Sequence, residues 1–128
     1  MNDSDNRQVI LVVDDEPMNI TLLAGILKGH YKVKMAKDGE KALRIAAATP
    51  PPDLILLDVM MPGMDGWEVC RRLKAQDTTR DIPLVFVTGM TDDSERRKGL
   101  ALGAAGFLHK PVDAAEVLET VRSLLESP

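Results

Sequence analysis

The chain has 128 residues, 45% of them apolar and 28% charged, with a formal net charge of −4 and one cysteine. Such a length and composition suit a single globular domain able to bury a core. The acidic balance argues against electrostatic capture by nucleic acid or an anionic membrane surface, and a lone Cys70 excludes an internal disulfide.

Residues 1–7 are polar and aperiodic, and are expected to form a disordered tail before a domain spanning 8–126. The first apolar run, Val9–Val13, is too short for a signal peptide or a membrane span, which predicts a cytoplasmic protein. It reads instead as a strand buried on both faces. A helix follows from Pro17 to Lys28, with Ile20, Leu23, Ala24 and Leu27 on one stripe. In Tyr31–Ala36, Tyr31, Val33 and Met35 alternate with Lys32 and Lys34, a pattern that suits an edge strand. A second helix is expected over Gly39–Ala48. The Pro-rich "TPPPD" at 49–53 then stops it before the apolar run Leu54–Leu57, a third strand ending in Asp58.

Asp65 and Glu68 form a capping-box pattern for a helix over 65–75, in which Cys70 reads as core beside Val69 and Leu73. Leu84–Val87 is a fourth buried strand. Asp92 and Glu95 open a fourth helix over 92–102, and Gly106–His109 makes a short fifth strand. Asp113 and Glu116 cap the last helix, which carries Val117, Leu118, Val121, Leu124 and Leu125 on one face. Strands alternating with helices predict an α/β fold: a five-stranded parallel sheet with five helices covering both faces. The edge-like second strand gives the order 2-1-3-4-5, with a ligand crevice beyond the carboxyl ends of strands one and three.

Those ends carry Asp14-Asp15-Glu16, Asp58, Thr88-Gly89 and His109-Lys110-Pro111. Clustered carboxylates repel, and a hard divalent cation such as Mg²⁺ relieves the repulsion while accepting phosphate oxygens. Lys110 adds positive charge and Thr88 a hydroxyl, so the set suits phosphoryl transfer to an aspartate. Singly, each residue has an ordinary explanation. Asp14, Asp15 or Glu16 could cap the helix entered at Pro17, Thr88 is common at strand ends, and Lys110 could be solvated. Asp58 could be a turn residue, but Asp65 already caps the next helix. The combination carries the argument.

With "VVDDEP" at 12–17, "LILLDVMMPGMDGWEV" at 54–69, "VTG" at 87–89 and "HKP" at 109–111, the sequence resembles a receiver domain of a two-component response regulator over roughly residues 8–126. The resemblance implies that Asp58 accepts a phosphoryl group from a sensor histidine kinase, a phosphotransfer protein or a small phosphodonor. It implies that Mg²⁺ is held by Asp15, Asp58 and the Met60 backbone carbonyl, with Asp14 acting through water. Thr88 and Lys110 would bind phosphoryl oxygens, Lys110-Pro111 would be cis, and Phe107 would be the switch aromatic. Phe107 reads equally well as plain core. Phosphorylation would then alter the face of the fourth helix, fifth strand and fifth helix, including Arg96, Arg97 and Lys98, to control a fused or separate effector.

Ala105-Gly106 stands where many DNA-binding regulators carry an acidic pair, which argues against that charge-paired dimer; a monomer or another phosphorylation-dependent dimer is expected. Two segments, 14–23 and 87–111, look more like receivers fused to cyclic-di-GMP enzymes or hybrid kinases. Met60 and Met90, two residues after Asp58 and Thr88, cannot orient water by hydrogen bonding, so slow loss of the phosphoryl group is expected. Three rivals remain. An aspartyl-phosphate phosphatase would carry D-x-D on strand one and a cap domain. A flavin module would carry a hydroxyl-rich loop where this chain is acidic. A receiver acting by protein interaction without phosphorylation keeps the same fold.

Overall fold

A computed structural model describes residues 7–89 and 92–126. Most of the expected tail, and Met90, lie outside those residues. Arg7, expected in the tail, donates from Nη1 to the Lys28 carbonyl at 2.9 Å.

The elements run β1 (Val9–Val13), α1 (Pro17–Leu27), β2 (Lys32–Ala36), α2 (Gly39–Ala47), β3 (Leu54–Asp58), α3 (Gly66–Lys74), β4 (Leu84–Thr88), α4 (Asp93–Ala101), β5 (Gly106–His109) and α5 (Ala114–Leu125). All strand pairings are parallel, in the order β2-β1-β3-β4-β5. Alternate residues of the central strands feed two cores, because successive side chains leave a strand on opposite faces. Leu11, Val13, Ile55, Leu57 and Phe86 pack under α2 and α3, with Val69, Cys70 and Leu73. Ile10, Val12, Leu54, Leu56, Val85 and Val87 pack under α1 and α5, with Ile20, Leu23, Leu27, Val117 and Val121. Burial of strands β3 and β4 along their whole length is what their unbroken apolar runs require. Buried Cys70 behaves as core, its thiol pushed up in pKa by burial.

The start of the central pair is pinned from both sides. Val9 N–H donates to the Asp53 carboxylate at 2.7 Å, and Asp53 N–H donates to the Val9 carbonyl at 2.8 Å. The Pro-rich stop thus sets where β3 begins.

Local chemistry differs from the sequence reading in four places. Asp65 accepts from Glu68 N–H at 3.0 Å, but the Glu68 side chain turns to Arg71 and to Arg72 rather than back to the cap. The Asp92 carboxylate accepts from Ser94 N–H at 3.1 Å, while Glu95 N–H donates to the Asp92 backbone carbonyl. Asp38, not singled out from sequence, caps α2 by accepting from Lys41 N–H at 2.8 Å. In β2 the apolar-polar alternation does not sort into in and out. Lys32, Val33 and Lys34 are all half-buried and Met35 is exposed. An edge strand flanked by helices on both faces is only partly covered along most of its length, and only Ala36 at its end is fully buried.

Helix α4 rests on a glycine. Gly99 is its buried residue, and a Cβ there would overlap the tip of the Phe107 ring and stand 3.2 Å from Phe86 Cδ2. Gly99→Val is therefore expected to lift α4 or displace Phe107, costing about 2 kcal/mol by overpacking. Chemical denaturation of the variant checks this.

Candidate functional site

β1, β3, β4 and β5 end side by side, and their register places the candidate side chains together. Val13 pairs with Leu57, Asp58 with Val87, and Thr88 with His109. Lys110 N–H donates to the Thr88 carbonyl at 2.9 Å, which ties the ends of β4 and β5. Asp14, Asp58 and Thr88 are buried, at 1%, 4% and 3% exposure, an unusual depth for two acids.

Asp14, Asp15 and Asp58 each present a carboxylate oxygen within 4.8 Å of the others. Lys110 enters from β5: its Nζ lies 2.9 Å from Asp14 Oδ2 and 3.2 Å from Asp58 Oδ1. Asp14 Oδ1 accepts from Glu16 N–H at 3.0 Å. So Asp14 both shapes the turn into α1 and faces the crevice. Its Oδ2 is close enough to Lys110 for ion pairing but lies outside hydrogen-bond alignment, and it has no hydrogen-bond partner among the described residues. Burial, and then the Asp14 carboxylate, push the Asp58 carboxyl above the usual carboxylate range. Lys110 and the Met60 backbone N–H pull it partly back. Burial lowers the Lys110 ammonium, but its contacts with Asp14 and Asp58 outweigh this and leave it raised.

One ammonium thus serves a crowded set of three acids, which leaves their charge only partly balanced. This donor set, all hard oxygens, fits a small divalent cation such as Mg²⁺. The Lys110-Pro111 peptide is cis. Met60 carries an exposed side chain, at 66%.

Thr88 and Phe107 line one small cavity beside Trp67 and Arg96. Phe107 is half-buried. Its ring centroid lies 5.5 Å from that of Phe86, and the Arg96 guanidinium sits 5.6 Å over it. Trp67 also packs against Phe86, with ring centroids 4.8 Å apart, and the Lys98 ammonium lies 4.9 Å from the centroid of the indole. Phe107 is therefore neither plain core nor free surface. Sequence reasoning missed Trp67 and Gly99 because nothing in a lone sequence shows which aromatic rings will touch. It missed the structural role of Gly66 as well. A Cβ on Gly66 would overlap the Asp58 carbonyl oxygen and stand 2.8 Å from Val59 Cα. The available signal was a glycine directly after the Asp65 cap, where most residues are tolerated.

A parallel 2-1-3-4-5 sheet with buried acids and a lysine at its carboxyl edge defines a phosphoryl-accepting signalling domain of the receiver type. The chain belongs to the response regulator receiver domain family, whose pattern it matches over residues 10–122. It is 51% identical over 116 residues to the response regulator PleD of Caulobacter vibrioides, covering 90% of this chain and 25% of that protein. A probable cyclic di-GMP phosphodiesterase of Vibrio cholerae is 38% identical over 118 residues, covering 92% of this chain and 26% of that protein. The chain therefore spans about a quarter of the length of these relatives. Among solved structures, the receiver domain of a sensor histidine kinase from Pseudomonas aeruginosa, with magnesium coordinated in its active-site cleft, superposes with a TM-score of 0.86. It is 31% identical, covering 94% of this chain and 99% of that one. Two-component signalling through a receiver is thus this domain's role. Among the described residues, no helix is long and apolar enough to cross a membrane.

Proposed function

We propose that a single receiver unit, residues 8–126, takes a phosphoryl group onto Asp58 from a sensor histidine kinase, a phosphotransfer protein or a small acyl phosphate. The observation that carries this is the placement of Asp58: a buried carboxylate at the end of a central strand, 3.2 Å from Lys110 and beside the buried Asp14 carboxylate that shares the same ammonium. One carboxylate oxygen of Asp58 attacks phosphorus, the bond to the donor nitrogen or oxygen breaks, and its electron pair leaves with the donor. The Lys110 ammonium meets the charge of the transferred group, and the Thr88 hydroxyl donates to one of its oxygens. Asp14, Asp15, Asp58 and the Met60 carbonyl are the groups assigned to hold Mg²⁺, with Asp14 through water. The ion would supply neutralisation of the phosphoryl oxygens. The chain acts on its own phosphoryl group alone, and we assign it to the cytoplasm with its kinase.

Signal output follows from Thr88. Drawn toward the phosphoryl group, it vacates space beside Phe107, and the α4–β5–α5 face changes. An effector reads that face, fused or separate; the cyclic di-GMP relative favours one within the same polypeptide. Beryllofluoride with Mg²⁺ is expected to shift the backbone amides of residues 92–125. Shifts confined to the strand ends would contradict the switch and would favour a receiver that works by docking alone.

Met60 bears on lifetime. Its exposed thioether cannot position water, so Met60→Asn is expected to speed loss of the phosphoryl group about fivefold, a small part of what orienting a nucleophile can supply. Decay of phosphorylated protein no faster than wild type would count against this role. The matching expectation for Met90 concerns a residue outside those described.

A further inference from the structure

We propose that the open edge of β2 is a docking cleft for an acidic peptide segment lying extended along it. β2 pairs with β1 on one side, and among the described residues no strand pairs with its other side. A cleft of about 570 Å³ opens there, and Val33, Lys34 and Met35 all line it. Three consecutive strand residues point to alternate faces, so only a space viewed along the strand edge can touch all three. Its walls confirm that position. Ile20 of α1 belongs to the core on one face of the sheet, and Ile45 of α2 packs on the core of the other.

The chemistry of the cleft is mixed in a particular way. Ile20, Val33, Met35 and Ile45 give it an apolar floor, and Met35 is 48% exposed, one of the few large apolar side chains left open. Lys34, Lys37 and Lys41 stand around it, and none of them forms an ion pair among the described residues. Three cations without an ion pair among the described residues stand out at one apolar cleft on a chain of net charge −4. A lysine-bearing edge repels a second copy of itself, because joining two such edges sets like charges face to face. A compact anion would match the lysines but leave the floor exposed. An added strand satisfies all three features together. Its backbone pairs with the free side of β2, its apolar side chains cover the floor, and its acids meet the lysines on alternate positions. The cleft lies on the opposite side of the sheet from β5 and does not depend on Asp58 being phosphorylated.

The test is a titration of the ¹⁵N-labelled chain with acetyl-Glu-Val-Glu-Ile-Glu-Val-amide, with a Lys-for-Glu version and a hexaglutamate as comparisons. The amphipathic acidic peptide is expected to shift the amides of residues 32–36 saturably, and the two comparison peptides to bind at least about 10-fold more weakly. Lys34→Glu combined with Lys37→Glu and Lys41→Glu is expected to reduce binding at least about 10-fold; among the described residues these three side chains make no ion pair whose loss would unfold the chain. Met35→Glu, which keeps the lysines, is expected to weaken it as well. Three outcomes would overturn the proposal: shifts that fall elsewhere, equal binding by hexaglutamate, or unchanged affinity in both variants. Shifts of the same amides on simple dilution of the protein would also overturn it, since the occupant would then be a second copy.

Discussion

Gly66→Ala is expected to lower the unfolding free energy by about 3 kcal/mol and the melting temperature by about 10 °C. The cause is a close approach of two backbones. Gly66 opens α3 directly beneath the end of β3, and its N–H donates to the Val59 carbonyl at 2.9 Å. A methyl group there would overlap the Asp58 carbonyl oxygen, which is main chain and cannot swing aside as a side chain would. Either α3 retreats, opening space around Val69, Cys70 and Leu73, or the strand end shifts and takes the Asp58 carboxylate with it. The second response would also slow phosphoryl uptake. Gly25→Ala is the matched comparison. It lies in α1 with nothing within 4 Å of its would-be Cβ, and alanine there is expected to stabilise by about 0.5–1 kcal/mol. Thermal and urea melts of the two variants check both signs. Similar effects at the two positions would contradict the packing described for β3 and α3.

Asp58→Asn is expected to raise the melting temperature of the chain in chelator near neutral pH by several degrees, at least about 3 °C. Burial and Asp14 hold the Asp58 carboxyl above its ordinary value of 3.8, so the folded state prefers it protonated. A carboxyl whose folded pKa is raised contributes stability that is fully present below the unfolded pKa. That contribution is lost as pH rises through the folded value. The advantage of the asparagine variant should therefore be small near pH 4 and grow toward neutral pH, where the wild type holds two buried carboxylates against one Lys110. Magnesium chloride should reverse the order, stabilising the wild type more than the variant. A variant that melts lower than wild type at pH 7 in chelator would mean that the acid pair is not strained.

Much of this was legible in the sequence for one physical reason: strands covered on both faces must be apolar throughout. Val9–Val13, Leu54–Leu57 and Leu84–Val87 therefore announced themselves, and each was followed at once by a polar residue that the fold carries to a common edge. Asp14, Asp15, Asp58 and Lys110 could be grouped by topology alone, before any distance was known. Contacts that depend on shape across elements were not legible. Gly66 under the Asp58 carbonyl, Gly99 under Phe107, and Trp67 against Phe86 each depend on how far two helices stand from the sheet. The partial cover of β2 was hidden for a related reason. Its lysines and apolar residues alternate as a two-faced edge strand would, yet the exposure of Met35 depends on how α1 and α2 frame the edge.

The most direct measurement of the central claim is intact-protein mass spectrometry after incubation with acetyl phosphate, with and without Mg²⁺, for wild type and Asp58→Asn. The wild type is expected to gain one phosphoryl group only when Mg²⁺ is present, and the variant to gain none. Equal labelling of Asp58→Asn and wild type would contradict the assignment of Asp58 as the phosphoacceptor.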